Sequence, residues 1–143
     1  SSAEYAPMTW PEIRGLNGEL VSFGPHTVTH PILSLEDDAR AREEIVRSWS
    51  RVQSEVPGAV PAFCFPNGDP LSFGPRELGV LAEAGPLASV STSQRSVSDR
   101  SRVPKEERLS APLPRFQVES DLGRFVQVVS GVDRLKGLFR GNP

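Results

Sequence analysis

The sequence predicts an α/β domain with parallel strands. Three observations lead there. Short apolar runs at Leu20–Phe23, Ala62–Phe65 and Leu87–Ser91 read as strands. Helix-periodic stretches at about 35–56 and 75–84 lie between them. Fourteen prolines and twelve glycines among 143 residues supply the turns. In the order strand–helix–strand–helix–strand, each strand returns by a helical crossover, which makes the sheet parallel. The length suffices for one domain with a real core.

Taken in order, Ser1 to Met8 carries no periodic pattern. Thr9-Trp-Pro-Glu12 is a capping box with proline in the first turn, so a short helix follows, with Ile13 and Leu16 inward and Gly18 as its stop. The first strand, Leu20–Phe23, leads into a loop holding His26 and His30. Ser34-Leu-Glu-Asp37 is a second capping box, opening a helix from about Leu35 to Val56, whose inward stripe is Ala41, Ile45, Trp49, Val52 and Val56. Glu36, Asp37 and Asp38 crowd its start, where the helix dipole favours acids, and Pro57-Gly58 ends it. Ala62–Phe65 is a short strand between Pro61 and Pro66, followed by the turn Pro66-Asn-Gly-Asp69. Pro75 to Ala84 reads as a helix with Leu78 and Leu81 inward and Gly85 as its stop. After the strand Leu87–Ser91, Thr92 to Pro114 reads as a long polar loop. A short strand at Phe116–Val118 and a helix capped by Ser120, with Leu122, Phe125, Val129, Val132 and Leu135 on one stripe, complete the chain.

Composition bounds the function. A formal charge of −2 with both signs interspersed lacks the clustered basic face of a nucleic-acid binder. No apolar run approaches the ~20 residues of a membrane span. No basic start precedes an apolar stretch, so no signal peptide is visible. The single cysteine, Cys64, rules out an internal disulfide and leaves the compartment open.

Chemistry concentrates in Phe23-Gly-Pro-His-Thr-Val-Thr-His-Pro31, which holds both histidines of the chain. Their spacing lets two imidazoles reach one metal ion. By itself it is a weak motif, met in roughly 4% of random placements. The flanks strengthen it: Pro31 and the β-branched Thr27, Val28 and Thr29 disfavour a helix. The histidines then sit on a tight loop at the C-terminal end of a strand, where open α/β sheets and barrels bind ligands. Glycine at 68 lets backbone approach a ligand closely. Cys64 reads as a small buried side chain in a strand rather than a nucleophile, and Asp69 as a turn aspartate rather than a third ligand.

Pro25-His26-Thr27-Val28-Thr29-His30-Pro31 resembles the His-Thr/Ser-x-x-His-Pro motif of polysaccharide deacetylases, the NodB homology domain of carbohydrate esterase family four. Phe63-Cys-Phe-Pro-Asn-Gly68 is similar to that family's Phe-Arg-x-Pro-Tyr-Gly stretch, one helix and one strand further on. The likeness runs from about Met8 to Lys136 and takes in Leu-Pro-Arg-Phe at 113–116 and a closing helix from Phe125 to Lys136. The resemblance implies a single domain over 1–143 forming the C-terminal part of a distorted (β/α) barrel. It implies a hydrolase of non-peptide C–N bonds that removes N-acetyl or related acyl groups from a carbohydrate. His26 and His30 would bind Zn²⁺ or another divalent ion, the Asn67 backbone N–H would stabilise the oxyanion, and Phe65, Pro66 and Gly68 would line the substrate.

Several family features have no counterpart. The Thr-Phe-Asp-Asp motif, which supplies the base and a third metal ligand, belongs before the histidines, where the only acids are Glu4, Glu12 and Glu19. A third histidine, the family's general acid, does not exist. Cys64 stands where many members carry an arginine. The expectation is therefore a domain incomplete at its N-terminus, self-associating through an open sheet edge. The alternative is a catalytically inactive glycan- or partner-binding module on the same fold.

Overall fold

The computed structural model describes residues 6–16, 18, 21–92, 109, 111–115, 121–123 and 125–126. It is mixed α/β, with three helices and a small parallel sheet. The order is α1 (Trp10–Leu16), a 3-10 turn (Leu33–Leu35), α2 (Asp38–Glu55), β1 (Ala62–Cys64), α3 (Pro75–Ala84), β2 (Ala88–Ser91) and β3 (Leu113–Pro114). The sheet runs β1-β2-β3, parallel throughout, with Phe63 opposite Ser89 and Val90 opposite Leu113. No helix among the described residues is long and apolar enough to cross a membrane.

The first helix starts where the capping box places it. The Thr9 backbone N–H and hydroxyl both donate to Glu12 Oε2 at 2.7 Å. It differs in its packing: Leu16 is exposed and Ile13 only half-buried, so α1 is a surface turn, tied on by Arg14 Nη1 to Glu55 Oε2 at 2.9 Å. The second capping box is displaced by one step. Ser34 lies in the 3-10 turn, where its hydroxyl donates to Leu71 O at 2.6 Å. Asp37 caps α2 instead, accepting from the Arg40 N–H at 2.8 Å. An aspartate directly before the helix is as good a cap as serine and adds a charge for the dipole.

The predicted first strand is a single bridge at Val21, with Leu20 outside the described residues. Phe23–Pro25 nonetheless lies along β1 and runs the same way: Val60 N donates to Phe23 O at 2.8 Å and Cys64 N to Pro25 O at 3.1 Å. Pro25 has no N–H to return, which keeps the ladder irregular. β1 and β2 fall where their apolar runs predict. The third strand is a correction: Leu113 and Pro114, assigned to the loop from the sequence, pair with β2, and Arg115 N donates to Ser91 O at 2.6 Å. Proline is tolerated because a parallel strand offers only alternate N–H groups to each neighbour. The strand predicted at Phe116–Val118 lies outside the described residues, as does the last helix beyond 122–123 and 125–126, where Phe125 N donates to Asp121 O.

The core sits between the sheet and the α2–α3 pair. Leu33, Ala41, Ile45, Phe63, Phe65 and Leu81 bury almost completely, with Phe73, Leu78, Val80 and Leu109 packed around them. Phe65 stacks on Phe73 at 3.8 Å and meets Phe63 edge-on at 5.3 Å. The inward stripe of α2 therefore holds at Ala41, Ile45 and Val56, while Trp49 and Val52 are half-buried. Gly85 ends α3 in the left-handed conformation, φ 97°.

Candidate functional site

Four chain segments leave the sheet at the same end: the loop after Phe23–Pro25, the turn after β1, Thr92 after β2 and Arg115 after β3. Parallel strands make this convergence automatic, because every strand has its C-terminus on one edge. His26 and the Pro66–Gly68 turn, predicted from separate motifs, meet there.

His26 is half-buried, and its Nδ1 lies 2.6 Å from the Cys64 carbonyl oxygen. A carbonyl only accepts, so Nδ1 carries the proton and the neutral ring keeps its lone pair on Nε2. Burial lowers the His26 pKa; the Cys64 hydrogen bond opposes this, and the charges of His30 and Arg115 add to it. The ring is thus held in the neutral form that a metal ligand requires. His30 is exposed, and its ring centroid stands 5.0 Å from that of His26 at an interplanar angle of 75°.

The turn between the histidines is tight. Thr27 and His30 have φ of 65° and 60°, the left-handed region that non-glycine side chains disfavour. The Thr27 hydroxyl donates to His26 O at 2.6 Å and accepts from His30 N at 3.1 Å. The Val28 and Thr29 N–H groups donate to Glu44 Oε2 at 2.7 and 2.9 Å. Sequence reasoning missed Glu44. The signal was present: it lies three residues after Ala41 and next to Ile45, on the inward face of α2, where an acid is rarely found unless it is paired. Burial pushes its carboxyl pKa up, but the Thr29 and Val28 donors and Arg40 outweigh that and hold it below its ordinary value.

In the second arm, Asn67 and Gly68 are successive left-handed residues, φ 54° and 75°. A Cβ on Gly68 would stand 2.9 Å from Thr92 N and 3.2 Å from Phe65 O, so only glycine lets the turn lie against the end of β2. Thr92 N donates to Gly68 O at 2.9 Å and the Thr92 hydroxyl to Asn67 O at 3.0 Å. Among the described residues no group accepts from the Asn67 N–H, and Asn67 is exposed. Phe65, Pro66 and Gly68 are buried, so their side of the site is the backbone they shape. Asp69 is engaged within its own turn: the Ser72 hydroxyl, and then the Leu71 N–H at 2.8 Å, donate to it and lower its pKa.

Arg115 is the third arm, also missed from the sequence. Its Nη1 donates to Cys64 Sγ at 3.0 Å and its Nη2 to Asn67 O at 3.4 Å. It lies in the Leu-Pro-Arg-Phe stretch at 113–116, but its place at the site depends on β3 pairing with β2. Cys64 is half-buried rather than enclosed; burial raises its thiol pKa, and Arg115 partly offsets that.

The arrangement offers two imidazole nitrogens and a backbone N–H with no acceptor among the described residues. Among the described residues no group of three or more His, Cys, Asp or Glu is placed to hold a metal ion. His26 and His30 are two nitrogen donors side by side, and the third protein ligand usual in catalytic zinc is not among the described residues. Comparison with family models, with curated proteins and with solved structures finds no match to this chain.

Proposed function

We propose that this chain carries part of a metal-dependent hydrolase site of the polysaccharide deacetylase type, on the C-terminal part of a distorted (β/α) barrel, removing N-acetyl or related acyl groups from a carbohydrate. One observation carries the reading. Two imidazoles bound through nitrogen to a single tetrahedral zinc at about 2.0–2.1 Å place their ring centroids about 5 Å apart, and His26 and His30 stand at 5.0 Å without any ion. That spacing supports joint ligation by the two rings and is the basis of the proposal.

The roles of the chain's own groups follow. His26 offers Nε2, fixed in that tautomer by the Cys64 carbonyl, the outer-shell arrangement that orients metal-bound histidines. His30 closes the pair from across the turn. The Asn67 N–H, on a turn fixed by Gly68 and Thr92, is the donor for a developing oxyanion. A bound divalent ion supplies Lewis-acid polarisation of the acyl carbonyl and acidification of a water. The base that the resemblance places in an Asp-Asp motif has no counterpart beside the histidines among the described residues.

Isothermal titration with Zn²⁺, on the wild type and on His26→Ala and His30→Ala, tests the metal site. Binding lost in both variants is the expected result; binding that survives both places the ligands elsewhere. Release of acetate from N-acetylated oligosaccharides then separates the two functional classes. Zinc binding without hydrolysis selects the inactive glycan- or partner-binding module.

A further inference from the structure

One carboxylate joins α2 to the backbone between the histidines. Glu44 is 0% exposed. Its Oε2 accepts the Val28 and Thr29 N–H groups at 2.7 and 2.9 Å, and its Oε1 accepts the Thr29 hydroxyl at 2.7 Å. Arg40 Nη2 reaches Oε1 at 2.7 Å and Thr29 Oγ1 at 3.2 Å. A carboxylate has about four acceptor positions, and these contacts fill them.

The donors have a pattern. Three of the four come from Val28 and Thr29, in the turn that separates His26 from His30. That turn is bent through left-handed conformations at Thr27 and His30. Such conformations persist only where the surroundings over-determine them. The Thr27 hydroxyl braces the turn from inside, and Glu44 braces it from the helix. An apolar side chain at 44 would continue the inward stripe of α2 at lower desolvation cost, so the carboxylate is explained by what it holds rather than by burial.

We propose that Glu44 is a positioning residue: its carboxylate clamps the turn between His26 and His30 and thereby sets the spacing and tilt of the two imidazoles. That the pair so held binds a divalent cation rests on the reading given above. The clamp itself is a property of the metal-free chain.

The test uses this chain with Glu44→Gln, Thr29→Val and, as a control, Glu83→Gln, an exposed α3 carboxylate paired with Arg42. Two measurements are made: zinc affinity by isothermal titration, and the ring-to-ring nuclear Overhauser contact between His26 and His30 without metal. Glu44→Gln keeps the shape but turns an amide N–H₂ toward a donor. It should weaken zinc by about 10- to 100-fold, as loss of an outer-shell partner does, and should diminish the inter-ring contact. Thr29→Val, which removes only the hydroxyl, should weaken zinc less, and Glu83→Gln not at all. Wild-type affinity with an intact inter-ring contact in Glu44→Gln overturns the proposal. If the wild type takes up no zinc, the metal reading fails, and the inter-ring contact alone decides: its loss supports the clamp and its retention overturns it. Should Glu44→Gln fail to fold, Thr29→Val carries the same two readouts: loss in them supports the clamp, and wild-type values in both overturn it.

Discussion

At the scale of single residues, the protonation of His26 sets how the site responds to acid. Burial depresses its pKa, so the unfolded chain binds a proton at pH values where the folded chain does not. The contribution of neutral His26 to stability is therefore complete above the ordinary histidine value of about 6.5 and is lost as pH falls from there through the lower folded value. Zinc binding at the proposed site should follow the same direction, because a histidine ligand must be the neutral ring. Titrations stepped downward from pH 7.5 should show binding weakening below about pH 6.5, and two-dimensional NMR of the rings should show His26 protonating at a lower pH than a free histidine. A His26 that titrates above that value would mean that the Cys64 hydrogen bond outweighs desolvation. Cys64 makes a parallel case. Burial raises its thiol pKa and Arg115 only partly compensates, so alkylation near neutral pH should be slower than for a free cysteine. An unusually fast reaction would reverse that reading and reopen a nucleophilic role.

At the scale of elements, two glycines with similar backbone angles should respond differently to alanine. Gly85 has nothing within 4 Å of a Cβ, so Gly85→Ala meets only the left-handed penalty, about 1 kcal/mol. Gly68→Ala adds a collision with the backbone of Thr92 and Phe65, and should destabilise by about 2–4 kcal/mol while shifting the Asn67 turn. Chemical denaturation of the two variants checks the ordering; equal losses would mean that the turn yields freely. The cap of α2 is equally open to measurement. Asp37→Ala should cost about 1 kcal/mol, whereas Ser34→Ala should leave helix content unchanged and loosen only the link to Leu71. The capping box that failed is instructive. Ser34-x-x-Asp37 has the local chemistry of a helix start, but Leu33 is drawn into the core and winds the chain into a 3-10 turn, so a tertiary contact moved the boundary. The stronger elements were legible because their signals were redundant: the α2 stripe repeats over several turns, and Pro75 and Gly85 mark the two ends of α3.

At the scale of the whole molecule, the convergence of the two motifs on one sheet end was readable, because parallel topology follows from the order of elements and places all strand ends together. The roles of Glu44 and Arg115 were not readable, although Glu44's place on the inward face of α2 was, since each acts at a distance that depends on packing: one across a helix–loop contact, the other through a two-residue strand. The sheet also has an outer border. No strand among the described residues pairs with the far side of Phe23–Pro25. A chain studied by itself should associate through that border, and light scattering across a tenfold concentration range should show the mean mass rising; a constant monomeric mass would show the border to be protected. A last consequence concerns Thr27, His30 and Asn67, the three non-glycine residues with positive φ among the described residues, all of which lie at this one end of the sheet. If the proposed metal site is right, they place the demands of folding and of ligand capture in direct competition. In a saturation library sorted only for thermal survival, glycine should rise in frequency at 27, 30 and 67. Sorted for metal capture, the same library should keep histidine at 30 and a hydroxyl at 27. The divergence between the two sorted populations would map, position by position, where this chain gives up robustness for chemistry.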